Sequence, residues 1–253
     1  VFIRDFGLIG QQPGATGNAP RIVHGMISVP EVNRVYFAYG VGADGVMQIV
    51  DRDKLLHGPK EPTEANLRAP EVSRLDMPSV YGGHTSFPVL GLDVSDFAND
   101  NVGKTRNFVV FTGEASSNEC HSPRQMSFMI DVTSEAHPAV VSSYGVSEQP
   151  GNFCTRGGRF GLHSTNENMT PIYYKRIVFM TEFNAGVRAV DIRDPYHPVE
   201  IGSYIPATTP RSDTRCVKPE NGPERCKIAI QTNNVDVDDR GYIYITDRAN
   251  NGL

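Results

Sequence analysis

With 253 residues, of which 39% are apolar, the chain can bury a sizeable core in one large domain or two smaller ones; its formal charge of -5 comes from interspersed acids and bases. No basic face results, so nucleic acid is not expected as a partner, and no run approaches the roughly 20 apolar residues of a membrane span, so no transmembrane segment is expected. Glycine (24) and proline (18) are plentiful, and turn residues interrupt short runs of Val, Ile, Thr, Tyr and Phe with no long 3.6-residue period, so the chain reads as all-β.

In chain order, residues 1–13 (VFIRDFGLIGQQP) have the pattern of an outer strand that ends a preceding unit. Three fuller units follow at 20–78, 84–150 and 160–207, and a partial one at 228–253. Each opens on a mixed polar and apolar stretch: RIVHGMISV, GGHTSFPVLGLDV, GLHSTNEN and TNNVDVDD. A short aromatic or β-branched strand comes next, then a polar turn, then a strand closing on Asp51, Asp131 or Asp191. Those aspartates are expected to accept backbone N–H groups in the following turn. Outer strands follow in AVVSSYGV and VEIGSYIP, each after a His-Pro pair at 137–138 and 197–198.

Four antiparallel strands per unit, repeated with insertions, is the plan of a β-propeller blade. The expectation is one β-propeller domain over 1–253, cut at both ends and covering part of a ring of about six to eight blades. Since ring closure is what removes sheet edges, further sequence or another chain is expected to complete it.

The phrases GVRAVDIRDPYHPVEIGSYIP and YIYITDRANNGL resemble the LVIVD-repeat proteins, bacterial β-propellers that are mostly exported and mostly without assigned activity. The resemblance covers nearly the whole chain and rests on a degenerate blade signature, specific for fold and weak for function. It implies a periplasmic or extracellular location. The chain departs from the plain pattern in the long insertion around Cys120 and in the loop at 216–226.

Four cysteines allow three pairings, and none of their spacings makes a CxxC knuckle. Cys216 with Cys226 and Cys120 with Cys154 are the favoured bridges; the first closes the polar loop VKPENGPER, at a gain of about 2 to 3 kcal/mol. Bridges imply an oxidising compartment, while four separate buried thiols would suit the cytosol.

His24, His84 and His163 each open the innermost strand of their unit, and Asn233 or Asn234 takes that place in the fourth. Innermost strands of a propeller line its channel, so these imidazoles are expected to converge on one axis as ligands for Cu, Zn or Fe. Glu167, Glu182 and Asp247 are candidate carboxylates nearby, Asn166 a candidate ligand contact, and Arg156 and Arg159 candidate guides for an anion at the channel mouth. The competing reading has each histidine bonding backbone groups of the neighbouring unit. Copper-dependent sulfur-compound oxidases of the selenium-binding type are also propellers with channel histidines, an analogy of fold alone.

Other motifs read as structural. GVGADG at 40–45 lies between two strands and opens no helix; DVDDRG at 236–241 lacks the later Glu of a calcium loop; Ser164 has no GxSxG elbow. Asn168-Met169-Thr170 is a glycosylation sequon. Two functions are therefore expected: a binding or assembly module holding a protein, surface polymer or small ligand at its channel mouth and loop faces, or a metal-dependent enzyme, such as an oxidoreductase, at the histidines. A further expectation is that the chain is a component of a larger assembly.

Overall fold

The structure is a computed structural model that describes residues 2–94 and 104–252. Residues 1, 95–103 and 253, which fall within three of the expected units, lie outside it. The chain is all-β. Its first sheet is the antiparallel meander β1 (Val23–Val29), β2 (Arg34–Tyr39), β3 (Val46–Asp51) and β4 (Glu71–Asp76). A second meander repeats the plan in β5 (Thr85–Asp93), β6 (Thr105–Thr112), β7 (Ser127–Asp131) and β8 (Ala139–Tyr144). The third sheet has β9 (Ile177–Thr181), β10 (Val187–Asp191) and β11 (Val199–Tyr204). After it come a two-stranded ribbon, β12 (Thr214–Val217) with β13 (Arg225–Ile228), and a fourth sheet, β14 (Thr232–Val237) with β15 (Ile243–Asp247).

Central strands are apolar at nearly every position because both of their faces are covered. Successive side chains of a strand point to opposite faces, and β6 shows the result: Phe108 and Val110 enter one core while Val109 and Phe111 enter another. The sheets thus pack face to face in chain order. Tyr36, Met47 and Ile49 of the first meet Val109, Phe111 and Phe128 of the second. Phe87, Val110 and Met129 of the second meet Val178, Met180 and Ile192 on or beside the third. Phe179 and Val187 of the third meet Val235 and Val237 of the fourth.

Three local features depart from the sequence reading. The third sheet has no regular innermost strand: residues 163–166 bond to β9 through His163 N to Thr181 O (2.8 Å) and Asn166 N to Phe179 O (3.0 Å), with one isolated bridge at Thr165. Asn166 Oδ1 takes the Phe179 N–H at 2.9 Å, so a side chain does part of what a ladder would do. Two short helices, α1 (Arg52–His57) and α2 (Glu64–Arg68), separate β3 from β4. Asp51, expected in a tight turn, caps the first by accepting from Lys54 N at 3.0 Å, while Asp131 and Asp191 do serve turns, accepting from Thr133 N at 2.8 Å and Arg193 N at 2.9 Å. Finally, residues 2–13 form no strand; Phe6 and Leu8 cover the other face of the first sheet against Val35, Phe37 and Tyr39.

Both cysteine pairs are bridged, Cys120 to Cys154 and Cys216 to Cys226. The first packs with Phe153 and Phe160, and the second joins directly opposed residues of β12 and β13. Among the described residues no helix is long and apolar enough to cross a membrane.

Candidate functional site

The three histidines converge. A register shift between Val23 and Gly25 bulges β1 at His24, the device by which a strand re-aims one side chain. Gly25 lets β1 approach its neighbour: a Cβ there would lie 2.3 Å from the carbonyl oxygen of His84. His84 and His163 are held from behind, their N–H groups donating to Thr112 O (2.6 Å) and Thr181 O (2.8 Å). The rings form a column, His24 to His84 at 3.9 Å between centroids and His84 to His163 at 4.2 Å.

The members of the column differ in what their nitrogens do. His163 Nδ1 faces the carbonyl of Asn233 at 2.5 Å and must donate; Nε2 then accepts from Arg248 Nη2 at 3.1 Å. Burial, followed by the charge of Arg248, holds this imidazole down to about 3, so it is neutral with both nitrogens engaged. His84 is likewise neutral, held down to about 2 by burial and by its histidine neighbours. Its Nδ1 lies 2.9 Å from Thr85 Oγ1, and no hydrogen bond among the described residues engages Nε2. His24 is exposed.

Glu114 joins this group just beyond β6, its N–H fixed by Val41 O at 2.8 Å. That carbonyl belongs to the 40–45 hairpin, so the glycine-rich turn is a support for Glu114 and not a phosphate loop. Glu114 Oε1 accepts from Arg159 Nη1 at 2.8 Å and Arg248 Nη1 at 3.1 Å, and lies 3.8 Å from His163 Nε2. Both guanidiniums also sit over the Phe183 ring, at 5.4 and 5.2 Å. One donor atom each from His24, His84 and Glu114 lies within 4.8 Å of the other two, a set able to hold a metal ion.

The set therefore differs from the one read in the sequence, with Glu114 in the place given to His163. A signal for Glu114 was present: Thr112-Gly113-Glu114, Thr181-Glu182 and Thr246-Asp247 end equivalent strands with an acid. The other two acids turn elsewhere. Asp247 spends its carboxylate on Gln231 N (2.6 Å), Ala249 N (2.7 Å) and Asn251 Nδ2 (3.0 Å). Glu182 is fully buried, its carboxyl pushed up to about 8 by burial, with Arg188, Glu200 and Arg124 as its charged neighbours. Burial and then Asp236 raise the Glu167 carboxyl, with the nearby His24 opposing.

Asn166 is buried and bonded to Phe179 N and Asn168 O, so it has a structural use. Arg159 meets the site through Glu114; Arg156 lies away, exposed, over the Phe153 ring at 5.4 Å. The Asn expected in the fourth unit is there as a backbone acceptor, Asn233 O taking His163 Nδ1, Ser164 Oγ (3.1 Å) and Thr181 Oγ1 (2.6 Å). No protein-family model matches the chain, and no curated protein sequence matches it.

Proposed function

We propose that this chain folds as blades of an exported β-propeller and binds a divalent metal, Zn, Cu or Fe, through His24, His84 and Glu114, using that ion to capture a small ligand at the channel mouth. The observation that carries the reading is the mutual approach of two imidazoles and a carboxylate, His84 and Glu114 at the ends of second-sheet strands and His24 on a bulge of the first. His84 supports it by being neutral with a free nitrogen, which is the ligand form of imidazole. Glu114 supports it too, because both arginines donate to Oε1 and a carboxylate has about four lone-pair positions. Donors on one ion at about 2.0 to 2.2 Å lie within about 4.4 Å of each other, close to the 4.8 Å within which the three donor atoms already lie. Three protein donors leave coordination positions for a ligand.

The blade reading is supported by repeated antiparallel meanders packed face to face in chain order, with equivalent residues meeting at the histidine column. Two disulfides support an oxidising, extracytoplasmic location.

Elemental analysis of natively purified protein, followed by Zn²⁺ and Cu²⁺ titration, tests the site. About one ion per chain is expected. His84→Ala and Glu114→Gln should weaken binding beyond the roughly 10 to 100-fold that an outer-sphere partner is worth, and His163→Asn should stay within it. Metal-free protein with identical weak titrations in all variants would leave the histidine column as packing alone.

A further inference from the structure

The two guanidiniums that bond Glu114 also line a cavity of about 410 Å³, joined there by Arg215 and Lys218, and among the described residues no acidic side chain lines it. Its cations outnumber the acids that pair with them. Arg159 and Arg248 share Glu114, at 2.8 and 3.1 Å, and Arg215 reaches Asp213 at 3.3 Å. Lys218 makes no ion pair among the described residues. Four cations less two carboxylates leave two positive charges on the cavity wall. In addition, Arg215 Nε is shielded from solvent and has no hydrogen-bond acceptor among the described residues, an expensive state for a charged donor.

The walls are fixed before any ligand arrives. Cys216 and Asn118 both line the cavity, and Asn118 Nδ2 donates to the Cys216 carbonyl at 2.8 Å. The bridge from Cys120 to Cys154 ties the Asn118 segment to the stretch that carries Arg159, and Glu119 N donates to Gly158 O at 2.8 Å. Glu119 in turn accepts from Arg225 of β13 at 2.7 Å. Both disulfides therefore hold cavity walls, which lowers the ordering cost of binding.

We infer that this cavity binds a doubly charged oxyanion, the chemistry shared by phosphate, sulfate and small dicarboxylates. Planar guanidinium forks match two oxygens at a time, the lysine adds a point charge, and Ser116, Ser117 and Asn118 supply neutral donors. The inference is independent of a metal at His24 and His84, because the cations stand in place without one.

Calorimetric titration of EDTA-treated protein with inorganic phosphate, sulfate and malonate, at an ionic strength held constant with chloride, tests it and ranks the three oxyanions. One saturable site is expected. Arg215→Gln and Lys218→Gln should each weaken it by about tenfold, while Arg156→Gln, on a separate cavity, should leave it unchanged. Lys218 is exposed, so its variant keeps the fold and the test stands even if Arg215→Gln does not fold. Failure of all three anions to saturate, or equal affinity in wild type and Lys218→Gln, would overturn the assignment.

Discussion

Among single residues, three buried groups give stability opposite slopes with pH. His84 and His163 take up protons in the fold only near 2 and 3, against 6.5 when exposed. Below about pH 6.5 the unfolded chain therefore binds protons that the fold refuses, and stability falls on acidification by about 1.4 kcal/mol per pH unit for each histidine. Glu182 acts the other way, since its carboxyl ionises at about 8 in the fold and at 4.5 when exposed. Its favourable contribution is complete below the unfolded value and is lost as pH rises towards 8, again by about 1.4 kcal/mol per unit. Between about 4.5 and 6.5 one histidine offsets it and the other remains, so stability of the metal-free protein should peak near pH 6.5. Urea midpoints measured from pH 5 to 8 check this. Glu182→Gln should remove the alkaline decline and His84→Asn the histidine term that remains on the acid side; a flat wild-type profile would contradict the buried neutral states.

Elements bring these residues together, and Gly25 shows how tightly. An alanine there would set its Cβ 2.3 Å from His84 O, so β1 must retreat from the second sheet. Gly25→Ala is expected to cost about 1 to 3 kcal/mol in thermal or urea unfolding and to weaken metal binding along with it, whereas His24→Ala should weaken the metal at little cost in stability because His24 is exposed. The two disulfides should also differ. Bridging residues 34 apart closes a longer loop than bridging residues 10 apart, which by chain entropy is worth about 3.8 against about 2.7 kcal/mol. Cys120 and Cys154 moreover pack into an aromatic cluster, while β13 is exposed at every position. Removing the 120–154 bridge should therefore lower the unfolding midpoint more than removing the 216–226 bridge. Limited proteolysis adds a second readout: loss of the 216–226 bridge should open β12 and β13 to cleavage while the sheets stay intact.

For the whole molecule, the repeat was legible in the sequence because burying both faces of every sheet demands the same apolar strands each time, and Asp131 and Asp191 close equivalent strands with the same turn. Convergence of His24, His84 and His163 was legible for the same reason, as equivalent positions in neighbouring sheets. Less was readable of what each side chain does on arrival. Nothing in the spacing told that Asn233 O and Arg248 would occupy both nitrogens of His163, or that Asp51 would cap a helix instead of turning a hairpin. Glu182 and Glu114 close equivalent strands, yet one is sealed among Arg188 and Glu200 and the other faces the column, a difference set by tertiary neighbours. This division makes a prediction for the molecule as a unit. The proposed ligands sit on the first and second sheets only, while the third and fourth join through His163 and Asn233 O. An ion bound there, at a hundred times its dissociation constant, should add about 2.7 kcal/mol to global stability. Its local effect should be uneven: hydrogen exchange with and without Zn²⁺ is expected to slow in β1, β5 and the end of β6 and to change little in β14 and β15. Equal slowing in all four sheets would mean that the ion binds elsewhere or that the sheets open only together, and loss of the effect in His84→Ala but not in His163→Asn would tie it to the assigned ligands.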